Sequence, residues 1–451
     1  MKRFLGNEAA TAAFGRELLD ALPADLAGWL ELIEFRHHTA IDLGLDRAAA
    51  VWERMGRPLP APRIFVVAGT NGKGSTVATI CSLLGALGYR YGCYTTPHIH
   101  RYNERVRVQN EEAADDDLVL SFRAVEAALG DVSLSYFEFG TLAAFELLSR
   151  KELDFAVMEI GLGGRLDAVN LLDADCAVIT PIGLDHQEFL GDDRETIGLE
   201  KAGIIRAGRP LVLGDPDPPA SVVGRARELS APLSVLGHDF SAEPCGDHAC
   251  FRFGETRLEL PAPALRGAHQ YDNAATGLAA VLTMLPGALN EAEALSRGLA
   301  AVDLRGRFDR VHQSPDVWID VGHNPMGAGV IARALRERGA GAGRTVRCVL
   351  AMLADKDAEA VAAELSPVIS EWYCAGLTGD RGQAGAALAR RLATVIDPSS
   401  PTANSTWSPA ATPSLDRISF GRVSCPLLVR VALGMEFSLP DVRISQQIGT
   451  M

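Results

Sequence analysis

Residues 65–89 read FVVAGTNGKGSTVATICSLLGALGY: a short apolar run, then glycines around one lysine, then helical spacing. Consecutive backbone N–H groups in such a loop can cradle phosphate oxygens, and the helix N-terminus that follows favours their charge. Lys73 can neutralise β- and γ-phosphates. The general phosphate-loop pattern is G-x-x-x-x-G-K-[ST]. Here Gly74 separates Lys73 from Ser75, and Val67 stands where the first glycine belongs. Other chemistry-bearing residues also follow apolar runs: Thr95, Thr96, Pro97 and His98 after the run at 91, Glu159 within FAVMEIG, Asp185 and His186 after CAVITPI. Ser75 and Thr96 offer hydroxyl oxygens to a magnesium ion, and Glu159 offers an anionic one. A carboxylate in an apolar strand needs a partner or a metal. His186 is an unusual magnesium ligand and, taken alone, reads as a structural or acid–base histidine. Lys201 sits in the last turn of a helix, where it complements the dipole. Asp320 and His323 end a later strand ahead of a helix; such residues are often caps, but they could also grip an anionic ligand or ATP. GLGGRL (161–166) is close to a dinucleotide fingerprint, but Leu166 occupies its last glycine position, which weakens a dehydrogenase reading.

The elements that must carry these residues alternate. Apolar runs at 64–68, 91–96, 155–161 and 176–182 suit strands, and 141–152 and 269–285 have helical spacing. Residues 192–203 read as a helix, with Asp192 and Glu195 as a capping box and Gly203 as its stop. Repeated strand–helix order implies an α/β fold with a doubly wound parallel sheet. In open sheets of this kind ligands bind at the carboxyl ends of the strands, where the polar residues gather here. Residues 211–262 are irregular and are expected to form a small β subdomain or edge strands. A second α/β unit starts near 306. It has strands at 316–322, 345–353 and 371–377 and a helix at 324–339 with Asn324 as cap, Pro325 in the first turn and Gly339 as stop. The division expected is 1–301, a linker at 302–308, a smaller Rossmann-like unit at 309–396, and a tail at 397–451. The tail begins rich in Ser, Pro and Thr, as disordered segments often are, and finds no place in the sheet.

Composition sets bounds. The chain has 451 residues, enough for two or three domains, and a net charge of -14. That charge argues against broad nucleic-acid or anionic-membrane binding. No apolar run is long enough to cross a bilayer and the first residues lack a signal-peptide core, so a cytoplasmic protein is expected. The eight cysteines include no C-x-x-C pair. Cys245 and Cys250 flank His248 at a spacing that fits no standard zinc site, so reduced, mostly buried thiols are expected.

Taken together, AGTNGKGST, TTPHIHRYNERVRV, SYFEFGTLAAFE, MEIGLGGRLDAVN, LDHQEFLG, EKAGI, GRFDRV and DVGHNP resemble, in order, the dihydrofolate synthase/folylpolyglutamate synthase family, a branch of the Mur-ligase-like ATP-dependent amide ligases. The resemblance spans roughly residues 30 to 390, and its loop carries the extra glycine. It implies an N-terminal P-loop-type ATPase domain and a smaller Rossmann-like domain that close over ATP, in a monomer. Thr70, Asn71, Gly72 and Lys73 would hold the ATP phosphates. Ser75, Thr96 and Glu159 would serve one magnesium; His186 and Lys201 would serve a second, bridged by Glu159. Lys201 matches a lysine that the family carbamylates. Asn273, Arg307 and Asp320 would contact ATP, with His323 close to the phosphates. The loop 37–47 with Asp42, the segment Ser135, Tyr136, Phe137 and Glu138, and Arg165 resemble the pterin-ligand site. The substrates implied are dihydropteroate, reduced folates and L-glutamate, joined through an acyl phosphate. Arg305 stands where the family usually has proline, and Gly322 where alanine is common. The resemblance stops near 395, as a shifted reading frame would produce, so the last strand–helix unit is expected to be missing and the tail to pack poorly. A different Mur-type ligase or a nucleotide-binding module without turnover are the competing readings.

Overall fold

The computed structural model describes residues 22–396, apart from 38, 40, 314–315, 341–344 and 378–380, together with 427–431. Its first sheet contains β1 (Ile64–Ala68), β2 (Tyr91–Tyr94), β3 (Val106–Val108), β4 (Glu111–Glu112), β5 (Phe155–Glu159), β6 (Cys176–Ile179), β7 (Leu211–Leu213) and β8 (Leu233–Val235). The order is β4-β3-β2-β5-β1-β6-β7-β8. The strands from β2 to β8 in that order are parallel, and β3 and β4 are added antiparallel at one edge. Every residue of β1, β2, β5 and β6 is buried, which explains their continuous apolar runs. The pleat sends Val66 and Ala68 into one core with the helix Tyr136–Ser149. It sends Phe65 and Val67 into the other, with Lys73–Ala86 and His269–Met284. Burying one such side chain stabilises by about 1.5–3 kcal/mol.

Three local expectations are corrected. The helix expected at 141–152 starts at Tyr136, because Ser135 and Glu138 form a reciprocal capping box. The cap of Arg194–Lys201 is Asp193, whose side chain accepts from the Thr196 N–H, not Asp192. Its neighbour Glu195 instead accepts from the N–H groups of Ala220 and Ser221. Within 211–262, β7 and β8 extend the main sheet. The rest, β9 (Phe240–Cys245), β10 (His248–Phe253) and β11 (Thr256–Pro261), makes a separate antiparallel sheet. Cys245 and Cys250 lie diagonally across its first hairpin and form a disulfide, against the expectation of free thiols. Among the described residues five cysteines are free, and four of them are buried.

A five-stranded sheet follows, built from β12 (Asp309–Gln313), β13 (Asp316–Asp320), β14 (Val346–Leu350), β15 (Glu371–Cys374) and β16 (Leu427–Val431), in the order β12-β13-β16-β14-β15. The tail was expected to supply no strand. Residues 427–431 instead pair parallel with both β13 and β14, in the middle of this sheet. The reading of 397–426 and 432–451 as poorly ordered lies outside the described residues. Asn324 caps the helix Pro325–Glu337 as the sequence suggests, accepting from the Gly327 N–H. Among the described residues no helix is long and apolar enough to cross a membrane.

Candidate active site

The carboxyl end of β1 runs directly into Gly69–Ser75 and the helix Lys73–Ala86. Gly72 caps that helix at φ +86, and a Cβ there would stand 2.4 Å from Asn273 Oδ1, so this position needs glycine on both counts. Gly74 has a different reason. A Cβ on it would meet Arg307 Nη2 at 3.1 Å and Glu159 Oε2 at 3.9 Å. The added glycine therefore lets an arginine from the second sheet's approach lie against the loop. Lys73 Nζ donates to the carbonyls of Gly69 and Thr70, at 3.2 and 3.1 Å. Thr70 Oγ1 donates to the Gly183 carbonyl.

Two buried groups lie beside the loop. Glu159, at the end of β5, is 2% exposed, and the Thr96 N–H donates to its Oε2 at 3.1 Å. Burial raises its carboxyl above the usual range, while Lys73 pulls it back. Lys201, 3% exposed, donates to the Gly69 carbonyl at 2.9 Å. Burial and the Lys73 charge hold its ammonium down to about 7. Ser75 is buried in the first helical turn.

A network of longer reach joins the two sheets. Asp185 Oδ2 accepts from His323 Nε2 and from Asn324 Nδ2, both at 3.1 Å. Lys356 Nζ donates to Asp185 Oδ1 at 2.6 Å and lies 2.9 Å from His186 Nε2. Burial would raise the Asp185 carboxyl, but His323, His186 and Lys356 hold it well below the usual carboxylate range. Burial pushes His186 down to about 3, so its ring is neutral. The amides of Asn71 and Asn324 bond reciprocally, at 3.0 and 2.9 Å. His323 Nδ1 faces the Val321 carbonyl, so both its ring nitrogens face acceptors. Asp320 accepts from the N–H groups of Phe308 and Gly322, and burial raises its carboxyl.

Lys356 was missed by the sequence reading. Its signal was available: MLADKDA follows β14 directly, as the other polar site residues follow their own strands. A lysine at a strand's carboxyl end belonged in that set.

The expected pterin-ligand residues fall into a separate cluster. Arg47 bridges Asp42 and Glu138, at 2.9 and 3.1 Å. Asp42 also meets His37 Nε2. Ser135 and Glu138 are committed to the cap, while Tyr136 and Phe137 lie beside Tyr102 and Tyr94 respectively. Arg165 does not face this cluster; its side chain is exposed and ion-paired to Glu200, next to Lys201 in sequence. Asn273 donates to Gln270 within its own helix. A cavity of about 370 Å³ opens beside Thr96 and Glu159, walled by Arg107, Arg305 and Arg307 among others.

The donor set fits a divalent ion. Glu159 is a buried carboxylate with one backbone donor. Asp185, His186 and His323 also offer ligand atoms within 4.8 Å of one another.

Known proteins resemble this chain in domain order, sequence and fold. Residues 67–218 match the Mur ligase middle domain, and residues 306–412 match the Mur ligase glutamate ligase domain. The dihydrofolate synthase/folylpolyglutamate synthase of Escherichia coli (strain K12) is 43% identical over 371 residues, covering 81% of this chain and 85% of that protein. The solved structure of E. coli FolC in complex with DHPP and ADP superposes with a TM-score of 0.81 at 38% identity, over 91% of this chain and 95% of that one. A bifunctional folylpolyglutamate synthase/dihydrofolate synthase with Mn, AMPPNP and L-glutamate bound gives a TM-score of 0.79 at 41% identity, with the same coverage. With two Mur ligase domains in sequence, and a relative 43% identical over most of both chains, this chain belongs to the dihydrofolate synthase/folylpolyglutamate synthase family.

Proposed function

We propose that this chain is an ATP-dependent carbon–nitrogen ligase that joins L-glutamate to dihydropteroate and to the γ-carboxylate of reduced folates. The observation that carries the reading is that Lys73 and Lys201 both donate to the Gly69 carbonyl, with Glu159 within reach of the Lys73 charge, while His323 of the second sheet bonds Asp185. The enzyme binds ATP and a divalent metal. A substrate carboxylate oxygen attacks the γ-phosphorus, the bond to ADP breaks, and an acyl phosphate results. The neutral amine of glutamate then adds to that carbonyl. The tetrahedral intermediate loses phosphate, and the amine proton goes to solvent or a base. Both reactants are anionic, so positioning and charge neutralisation carry most of the rate.

The residues divide this work. The N–H groups of Thr70, Asn71, Gly72 and Lys73 take the phosphate oxygens, and the Lys73 ammonium neutralises them. Arg307, Asn273 and Asp320 contact ATP from the junction with the second domain, which we place after a linker at 302–308. His323, fixed by Val321 and Asp185, keeps its ring against the phosphates. Ser75, Thr96 and Glu159 would hold one ion, and Glu159, His186 and Lys201 a second. Bound there, the ions supply further neutralisation of phosphate charge. Lys201 would serve as its carbamate: a neutral amine adds to carbon dioxide and loses one proton, turning a cation into an anionic oxygen donor. An ammonium held down to about 7 supports this, since it leaves much of the amine neutral near pH 7. Asp42 and the Ser135–Glu138 segment would receive the pterin ligand, and Arg165 would reach it by turning from its ion pair with Glu200. All these residues come from one chain, so a monomer suffices.

The test is ADP release from Mg-ATP with dihydropteroate and L-glutamate added singly and together, with the product weighed. Release that needs both, and a product of dihydrofolate mass, is expected. ADP release indifferent to glutamate, or none from a protein that still binds ATP, would remove the ligase reading. Carbamylation is tested separately, by loss of activity on stripping carbon dioxide and its return with bicarbonate.

A further inference from the structure

Lys356 is buried to 6% exposure, and its ammonium sits between Asp185 Oδ1 and His186 Nε2. An ammonium has three donors and no lone pair. His186 must therefore turn the lone pair of Nε2 toward it, which places the ring proton on Nδ1. That nitrogen is buried and, among the described residues, has no hydrogen-bond partner. In this arrangement neither ring nitrogen has a free lone pair for a cation. The ligand atoms of Asp185, His186 and His323 nevertheless lie within 4.8 Å of one another, close enough to share one small ion. A positive charge is thus already present among them, supplied by a side chain from the other sheet.

We propose that Lys356 is a built-in placeholder cation: it fills the charge and the lone pair that a divalent ion would take at His186, and the ion can enter only by expelling it. This rests on the reading of His186 as a metal ligand. The placeholder is also a tie. Lys356 follows β14 on a loop held by Arg391, which donates to the Lys356 carbonyl at 2.7 Å. The Asp355–Arg381 ion pair braces the same loop. Expelling the ammonium from Asp185 and His186 therefore releases a link between the loops of the two sheets, so ion loading and domain position become one event. Lys356 is on this account a positioning residue; it touches the site's ligands, not the reacting atoms.

The test uses Mn²⁺ as the probe, without nucleotide or folate, and follows free Mn²⁺ by electron paramagnetic resonance. Lys356→Met should bind Mn²⁺ roughly tenfold or more tighter than the unmodified chain, because an opposing unit charge at such range is worth more than a factor of ten. Lys356→Arg, which keeps the charge, should stay near the starting affinity. In a His186→Gln background the gain from Lys356→Met should vanish. Unchanged or weaker Mn²⁺ binding by a folded Lys356→Met chain overturns the proposal. A second measurement needs no variant: Lys356 acetylation by acetic anhydride, read by peptide mass, should speed up severalfold when Mn²⁺ is added. A rate that stays flat or falls while Mn²⁺ binds also overturns it. The ligase reading fails on a different result, the absence of a glutamate-dependent product, so the two ideas can be lost separately.

Discussion

Lys73 is held by carbonyls three and four positions before it, whereas the junction beside it joins residues 138 and 171 positions apart. Both serve the same sheet edge, but one is a local device and the other exists only after two sheets have met. The loop's shape is set by glycine geometry and a helix start. The junction's shape is set by charge balance among Asp185, Lys356 and His323, with the Asn71–Asn324 pair beside it. Local devices leave their pattern in consecutive letters, and assembled ones do not.

The largest expected effect would isolate the local half. Lys73→Met removes a cation that bonds only backbone carbonyls, so the fold should hold and melt within about 1 kcal/mol of the parent. Turnover should fall by about a thousandfold or more, as for loss of one charged group on a transferring phosphoryl. Steady-state ADP release beside thermal unfolding would check both. A large loss of stability would mean the loop is not self-contained.

Next comes the contact between the halves. Gly74→Ala puts a methyl 3.1 Å from Arg307 Nη2 and should displace that guanidinium. A loss of about tenfold in kcat/KM is expected, carried mainly by the KM for ATP, since small misplacements of a binding group are costly. An unchanged KM would show that Arg307 does not act through the loop.

The buried histidines sharpen the comparison through pH. Burial holds His98 and His269 down to about 4 and His186 to about 3. In the unfolded chain each would titrate near its ordinary value, so between about pH 6.5 and 4 the unfolded state binds the extra protons. Stability must then fall as pH drops through that window, by up to about 1.4 kcal/mol per pH unit for each histidine. Urea melts at pH 7, 5.5 and 4.5 would reveal it. His186→Gln should flatten the slope at the junction, and a curve unaltered by that change would sink the assignment of His186 as a neutral buried ring.

The smallest effect separates sequence pattern from structure. Asp193→Ala should lower the melting temperature through the lost cap, and Asp192→Ala should leave it almost unchanged. The reverse order in thermal melts would restore the capping box read from the letters.

Most of the first sheet was legible because its strands are buried on both faces and its helices have clear starts. The glycine loop and Glu159 stand out by type and position at strand ends, whereas His186 alone reads as structural or acid–base and Lys201, at a helix end, as a complement to its dipole, so their metal roles come only from the family resemblance. The Asp192 cap was misread because its spacing to Glu195 fits a capping box, whereas the side chain that caps is Asp193, which accepts from Thr196 N–H without that spacing to a glutamate. The helix at Tyr136 was placed late because its apolar spacing was read only from 141, while Ser135 and Glu138, three residues apart, already complete its cap. Lys356 could be placed at a strand's carboxyl end from the letters, but its partners Asp185 and His186 lie in another sheet and no local spacing points to them. The disulfide between Cys245 and Cys250 needs a hairpin register that spacing alone does not give.

β16 is the last described strand in chain order, yet it lies between β13 and β14. Until it arrives, the second sheet is two separate pairs, β12 with β13 and β14 with β15, each with an inner edge lacking its neighbour. The first sheet has no such debt to later sequence: its eight strands are complete by Val235. On the ribosome, the nucleotide loop can therefore be assembled on a finished sheet while its counterpart still waits for the stretch that closes it. Such exposed inner edges invite pairing with other chains, so the yield of intact protein should depend on how promptly that final strand is delivered.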